Sequence, residues 1–374
     1  MLRLKAGSCM QDSKKAIIVS VTYVLILILV SLLILEPYYN TDYLYTECMD
    51  RKYRDSLSGS IDYIILGASN GQNALSPTII DERLCCNSYN LSSPSVSFRG
   101  RRALLDEEIN RNSIKDVIIE VSYNTLERNR FQRLGSSWIV PRLSSISSRL
   151  KYVLGEESIY NYDVIYAYNL SLAIFVGKHI LFVIKDNIGN LSDIVGIISK
   201  ECSGFEYKKD FLIDHSNDLT YSSVEAKEVY NSEKIADPTE YEPDNIVVLS
   251  DIIKECQERG CRVSLVVTPV SDAVIWRSNG WDGFYEYLKS YAKKKKVTFY
   301  GFNLLRNRYK LFNDRYSFSD DNHMSDKGAK AFTEEYCKIM KMNNLGQDTS
   351  DLFYKSYRDM KLDSPYANRT ERIK

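Results

Sequence analysis

From Ile61 to Leu66 the chain reads Ile-Asp-Tyr-Ile-Ile-Leu, apolar at all but one position, and it then meets Gly67. A short apolar run closed by glycine reads as a buried strand entering a tight turn, because glycine accepts a backbone bend that a larger side chain resists. Comparable runs recur at Ser88–Leu91, Val117–Ser122, Val263–Thr268 and Val297–Tyr300. Stretches of helical patterning lie between most of them. Alternating strands and helices predict an α/β fold, a three-layer α/β/α sandwich with a mainly parallel sheet of about five strands.

The intervening segments carry helix signals. Ser76-Pro77 supplies an N-cap and a first-turn proline for a helix over Thr78–Leu84. Arg101–Asn112 reads as a surface helix, Ile246–Gln257 as an amphipathic helix ending near Gly260, and Asp282–Ala292 as another. The run Lys293–Lys296 suits a helix C-terminus and solvent. Lys327–Met340 reads as a last helix capped by Ser325 or Asp326. The α/β rhythm stops over residues 125–243, a serine- and tyrosine-rich stretch with mostly helical patterning. The predicted core therefore comprises 59–124 and 244–345, interrupted by an insertion over 125–243 and followed by a polar tail over 346–374. Leaving from the end of the third strand, the insertion is placed to form a lid or an acceptor-binding wall. Its most apolar piece, Leu170–Ile184, is too short to span a bilayer comfortably and contains Lys178 and His179. It reads as buried core of the insertion or as a helix touching a membrane.

Ser69 lies two residues past Gly67, where a strand-to-helix turn lifts its hydroxyl to the carboxyl edge of the sheet. Ligands of open α/β sheets bind at that edge. A serine hydroxyl is a poor nucleophile until a base takes its proton, and the base needs a third group to orient it. Of three histidines, His179 sits in an apolar run and His215 in a polar loop. Only His323 stands just ahead of a helix start with a carboxylate, Asp320, one turn earlier. Asp321 competes with Asp320 for the orienting role. Each stretch alone has an ordinary explanation, a common strand end and a helix cap. Their order in an α/β pattern predicts a catalytic Ser69, His323 and Asp320.

Ala16–Leu35 contains no charge and matches the ~20 residues needed to cross the hydrocarbon core. Arg3, Lys5, Lys14 and Lys15 precede it, and Glu36, Asp42, Glu47 and Asp50 follow. The positive-inside rule puts residues 1–15 in the cytoplasm and the rest outside, on a single-pass anchor over 16–35 with a connector over 36–58. A cleaved signal peptide would have a shorter apolar region and a small-x-small site, and none closes this run. Lysine plus arginine equals aspartate plus glutamate, 49 each, which leaves no electrostatic footprint for nucleic acid. The 28 tyrosines suit sugar stacking as well as half-buried positions. Of eight cysteines, Cys9 would be cytoplasmic, so an odd number faces outside. Cys256 and Cys261 flank a helix end and are placed to bridge. Cys85 and Cys86 are better packed or paired elsewhere than bonded to each other. No zinc spacing appears, so no metal is expected. Asn90, Asn169, Asn190 and Asn368 open glycosylation sequons.

Five pieces in order carry a resemblance to a known family: Gly67–Asn70, Leu75-Ser76-Pro77, Tyr89-Asn90-Leu91-Ser92, Val266–Val270 and Asp320–Gly328. The chain resembles the SGNH (GDSL-like) hydrolase superfamily. More narrowly, it looks like the membrane-anchored branch that includes the teichoic-acid D-alanine transfer proteins and the alginate O-acetylation proteins. The resemblance implies a flavodoxin-like sheet, a nucleophilic Ser69 and an Asp320–His323 pair, with no cofactor. It implies an oxyanion donor after the second strand, usually a glycine N–H. Here Ser92-Ser93-Pro94-Ser95 offers none before Gly100, so Ser93 or Ser95 has to donate. It also implies an asparagine after the third strand. Asn124 occupies that region without the usual Gly-x-Asn-Asp pattern, and a turn-forming asparagine is the other reading. Asp272 is placed to approach the site from the loop after the fourth strand. The function implied is an acyl-Ser69 enzyme passing an O-acyl, acetyl-type group to a cell-envelope polysaccharide, with a membrane-bound O-acyltransferase as partner. A carbohydrate esterase and a catalytically silent scaffold are the alternatives.

Overall fold

A computed structural model of the chain describes residues 61–127, 233–312 and 317–364, together with short pieces at 19, 21–23, 139, 143 and 146–153. Its centre is a sheet of five strands: β1 (Tyr63–Leu66), β2 (Ser88–Asn90), β3 (Asp116–Glu120), β4 (Arg262–Val267) and β5 (Thr298–Gly301). Their order is β2-β1-β3-β4-β5, and every pairing is parallel. Ile65 sits opposite Asn90 on one side and Ile118 on the other, and Leu265 sits opposite Phe299.

Successive strand residues point to opposite faces, and each face has its own core. Ile64, Leu66, Val117, Ile119, Val263, Leu265 and Val267 belong to one buried cluster. Helices α3 (Phe98–Arg111), α4 (Pro243–Glu258) and α6 (Trp281–Lys295) cover it. Tyr63, Ile65, Ile118, Val266 and Tyr300 belong to the other, covered by α2 (Pro77–Leu84) and α7 (Asp326–Asn344). In α4 the buried positions Leu249, Ile252, Ile253 and Cys256 follow helical spacing, which makes one apolar stripe against the sheet. Burial on both faces is why the strands read as continuous apolar runs.

Several expectations need adjustment. The segment expected as a surface helix from Arg101 is half-buried, with Leu104, Leu105 and Ile109 packed on the sheet and Arg101 only 1% exposed. Arg101 is covered because it reaches under the end of β3, where its Nη1 donates to the Glu120 carbonyl at 2.5 Å. Cys256 and Cys261 do not bridge. Both are buried free thiols, and Cys261 Sγ donates to the Ile114 carbonyl at 3.2 Å. Burial pushes the Cys256 thiol up to about 12. Cys85, Cys86 and Cys337 are also free, while Cys9, Cys48 and Cys202 lie outside the described residues. Asn90 is buried and its amide donates to the carbonyls of Gly71 and Leu75, each at 3.0 Å, so that sequon is closed to a glycan. The tail forms a short helix α8 (Tyr357–Leu362), with Tyr357 stacked on Trp281 at 5.1 Å.

The insertion leaves and returns at one point. Glu127 and Tyr241 form an antiparallel bridge, and the Glu242 N–H donates to the Leu126 carbonyl at 2.9 Å. Most of the intervening residues, including His179, His215 and Leu170–Ile184, lie outside the described residues. So does the run 16–35 apart from a few helical positions, and among the described residues no helix is long and apolar enough to cross a membrane.

Candidate active site

The order β2-β1-β3 means that the chain leaves β1 in one direction and later returns to its other side. The crevice beyond the carboxyl ends of β1 and β3 is therefore a topological switch point, the usual ligand site of such sheets. Ser69 occupies it as the first residue of helix α1 (Ser69–Ala74), three residues beyond the end of β1. Two bonds hold the turn. The Ala68 N–H donates to Glu120 Oε2 at 2.9 Å, and the Gly67 carbonyl accepts the Ser93 N–H at 3.2 Å. Gly67 is required for a reason the sequence did not supply. A Cβ there would stand 2.8 Å from Ser92 Oγ and 2.9 Å from Glu120 Cβ, so close approach and not an unusual bend excludes a side chain.

His323 arrives on the loop before α7. That loop is closed by the Ser319 N–H donating to the His323 carbonyl at 2.9 Å. It ends at Ser325, the N-cap of α7, whose hydroxyl accepts the Gly328 N–H at 3.1 Å. Asp320 Oδ1 accepts the N–H groups of Asn322 and His323, each at 2.9 Å, which fixes the carboxylate on the loop. The ring Nδ1 then lies 2.7 Å from Asp320 Oδ2. On the other side of the ring Nε2 lies 2.7 Å from Ser69 Oγ, across 254 residues of sequence. A carboxylate can only accept, so Nδ1 carries the proton and Nε2 keeps a lone pair for the serine hydroxyl. Burial pushes the Asp320 carboxyl up, but the bond and charge of His323 and the two backbone donors outweigh it and hold the group below its ordinary value.

The adjacent carboxylate faces elsewhere. Asp321 forms an ion pair with Arg277, at the end of helix α5 (Asp272–Arg277), and its carbonyl accepts the Ser271 N–H at 3.0 Å. The structure thus brings Asp320, and not Asp321, to the imidazole. Asp272 does not approach the site. It is buried at the start of α5 against Arg308, whose Nη2 donates to Asp272 Oδ1 at 2.8 Å.

Ser69 and His323 open onto a cavity of about 290 Å³. Asn70, Asn124, Asn245 and Asn322, with the hydroxyl residues Ser95, Ser97, Ser122 and Thr125, are among the residues that line it. Among the described residues, Glu127 is the one carboxylate bordering it, and neither lysine nor arginine does. Asn124 therefore lies at the cavity, as expected. Ser93 does not border it, and its N–H is taken by Gly67, so Ser93 is removed as an oxyanion donor. Ser95 borders the cavity in its place, with φ at +54°, a left-handed conformation that favours glycine. The N–H groups of Ser69 and Asn70, in the first turn of α1, have no intrahelical acceptor and complete the supply of donors nearby.

Three supporting residues were given no role by the sequence reading, although Glu120 stands at the carboxyl edge of the third strand. Asn322 accepts the Tyr123 hydroxyl at 3.1 Å through Oδ1, which leaves its amide N–H groups for the cavity. Arg277 holds the histidine loop through Asp321. Glu120, fully buried, also accepts the Ser122 hydroxyl and lies 3.9 Å from the Arg101 guanidinium. The only advance signal for Glu120 was a charge at the end of an otherwise apolar strand. No protein-family model matches the chain and no curated protein matches it, so its function is read from this geometry.

Proposed function

We propose that the protein is an SGNH-type serine acyl-ester enzyme that carries an O-acyl group, of acetyl type, to a cell-envelope polysaccharide. The observation that carries the reading is the continuous relay Asp320–His323–Ser69, with both ring nitrogens at 2.7 Å from their partners. In this reading Ser69 Oγ attacks an ester carbonyl while His323 Nε2 takes its proton, and the imidazolium that forms is stabilised by Asp320. The N–H groups of Ser69 and Ser95, with the Asn124 amide, face the developing oxyanion. One such donor is typically worth ~10²–10³ in turnover. His323 returns the proton to the leaving oxygen, and the acyl-Ser69 ester is then attacked by a sugar hydroxyl.

The wall supports a neutral, hydroxyl-rich acceptor, since carboxamides and hydroxyls pair with such groups and, among the described residues, no lysine or arginine lines the cavity to select a phosphate or carboxylate. The uncharged run Ala16–Leu35 supports a single-pass anchor with the domain outside the cell membrane, where a membrane-bound O-acyltransferase can supply the acyl group. Hydrolytic removal of acyl groups uses the same residues, with water as the acceptor. A fluorophosphonate probe tests the shared core of both readings. Wild-type protein is labelled covalently and Ser69→Ala is not; absence of labelling in folded wild type would leave the crevice as a binding site only.

A further inference from the structure

Ser122 borders the cavity and is only 4% exposed, and the partner of its hydroxyl is Glu120 Oε1. Among the described residues, the other hydrogen-bonding and charged partners of that carboxylate are donors as well. The Ala68 N–H lies 2.9 Å from Oε2, and the Arg101 guanidinium lies beside it at 3.9 Å. With a guanidinium and donors as its partners, the carboxylate accepts from Ser122 and does not donate to it. The Ser122 proton is thereby committed inward, and only the lone pairs of Oγ remain for the cavity. A serine without Glu120 would rotate to present either a donor or an acceptor. Here the protein has fixed the polarity.

We infer that Ser122, set by Glu120, is a specificity residue that accepts a hydrogen bond from a second hydroxyl of the acyl acceptor, adjacent to the attacking one. This rests on the acyl-Ser69 reading and extends it to the class of acceptor, a vicinal diol such as a pyranose ring. The attacking hydroxyl loses its proton to His323 Nε2 as its oxygen bonds to the acyl carbon. The bond from that carbon to Ser69 Oγ then breaks, and His323 returns the proton to Ser69. The neighbouring hydroxyl keeps its own proton throughout and points it at Ser122 Oγ. Water and simple alcohols have no such second group, so the contact favours transfer over hydrolysis.

The test uses the full chain in detergent, p-nitrophenyl acetate as donor, and methyl β-glucopyranoside or 1-propanol as acceptor. Transfer and hydrolysis products are counted from the same reaction. Wild type transfers to the glucoside in preference to propanol. Ser122→Ala lowers that preference about tenfold, as expected for one hydrogen bond. Ser122→Thr keeps it. Glu120→Gln also lowers it, because the amide N–H donates to Ser122 and turns its proton outward. An unaltered product ratio in Ser122→Ala overturns the inference even if Glu120→Gln does not fold. Wild type that releases p-nitrophenol from Ser69 without preferring the glucoside also overturns it while leaving the serine-enzyme reading intact. Wild type that neither reacts with the ester nor takes a fluorophosphonate removes both.

Discussion

At the scale of single residues, neighbouring carboxylates receive different tasks from the bonds around them. Asp320 is gripped by two backbone N–H groups and by the imidazole, and its pKa is held down. A depressed folded value means that its contribution to stability is present above the ordinary carboxylate range and is lost as pH falls through the lowered value. Asp320→Asn keeps the shape but offers an amide to Nδ1, which favours the tautomer with its proton on Nε2, where it cannot serve as base. Ester turnover is expected to fall by about 10³–10⁴, as in related triads. Asp321→Asn leaves the imidazole's own partners in place and loosens the loop only through the largely buried pair with Arg277, so turnover is expected to fall much less than in Asp320→Asn. Comparable losses in the two variants, measured as ester hydrolysis rates, would contradict the assignment.

At the scale of elements, the histidine loop is steadied from behind by α5. The start of this helix is tied to the segment after β5: Arg308 bonds Asp272 at 2.8 Å, the Val270 carbonyl at 3.1 Å and the Asn303 carbonyl at 2.9 Å. Its end holds Asp321 through Arg277. Arg308 and Asp272 are both buried, so removing the cation leaves an uncompensated carboxylate. Burial pushes the Asp272 carboxyl up, and Arg308 opposes that push. Arg308→Met is expected to destabilise the protein by about 3–5 kcal/mol in urea unfolding, and Arg308→Met with Asp272→Leu to recover much of the loss. Equal stability of the single and double variants would show that the pair is not coupled.

At the scale of the whole molecule, a sheet with two independent cores carries the site, and the insertion enters and leaves at the cavity rim. Thr125 and Glu127 border the cavity, while Glu127 and Tyr241 pair directly. Both faces of the sheet are closed by α2, α3, α4, α6 and α7. Ile139, Leu143 and Tyr152, at the start of the insertion, pack into one of these cores. Replacing only residues 154–232 with a flexible Gly/Ser linker is therefore expected to leave cooperative unfolding and Ser69 labelling in place, with loss of transfer to a polymeric acceptor. Loss of cooperative unfolding would place that segment too in the folding core.

The sequence by itself determined the strand positions, their parallel arrangement and the Ser69, Asp320 and His323 set, because apolar runs and a one-turn Asp–His spacing are local signals. It offered Ser93 or Ser95 as an oxyanion donor, expected a surface helix from Arg101 and read Gly67 as a bend, and each reading was incomplete for one reason. What a backbone N–H, a guanidinium or a missing Cβ meets is set by neighbours far along the chain: Gly67 for Ser93, the end of β3 for Arg101, Ser92 and Glu120 for Gly67. The choice of Asp320 over Asp321 follows one-turn spacing, but the role of Asp321 required Arg277, which only tertiary packing brings there. Periodicity and spacing report which elements form. Contacts between elements, which decide polarity, burial and access at the crevice, exist only once the chain has folded.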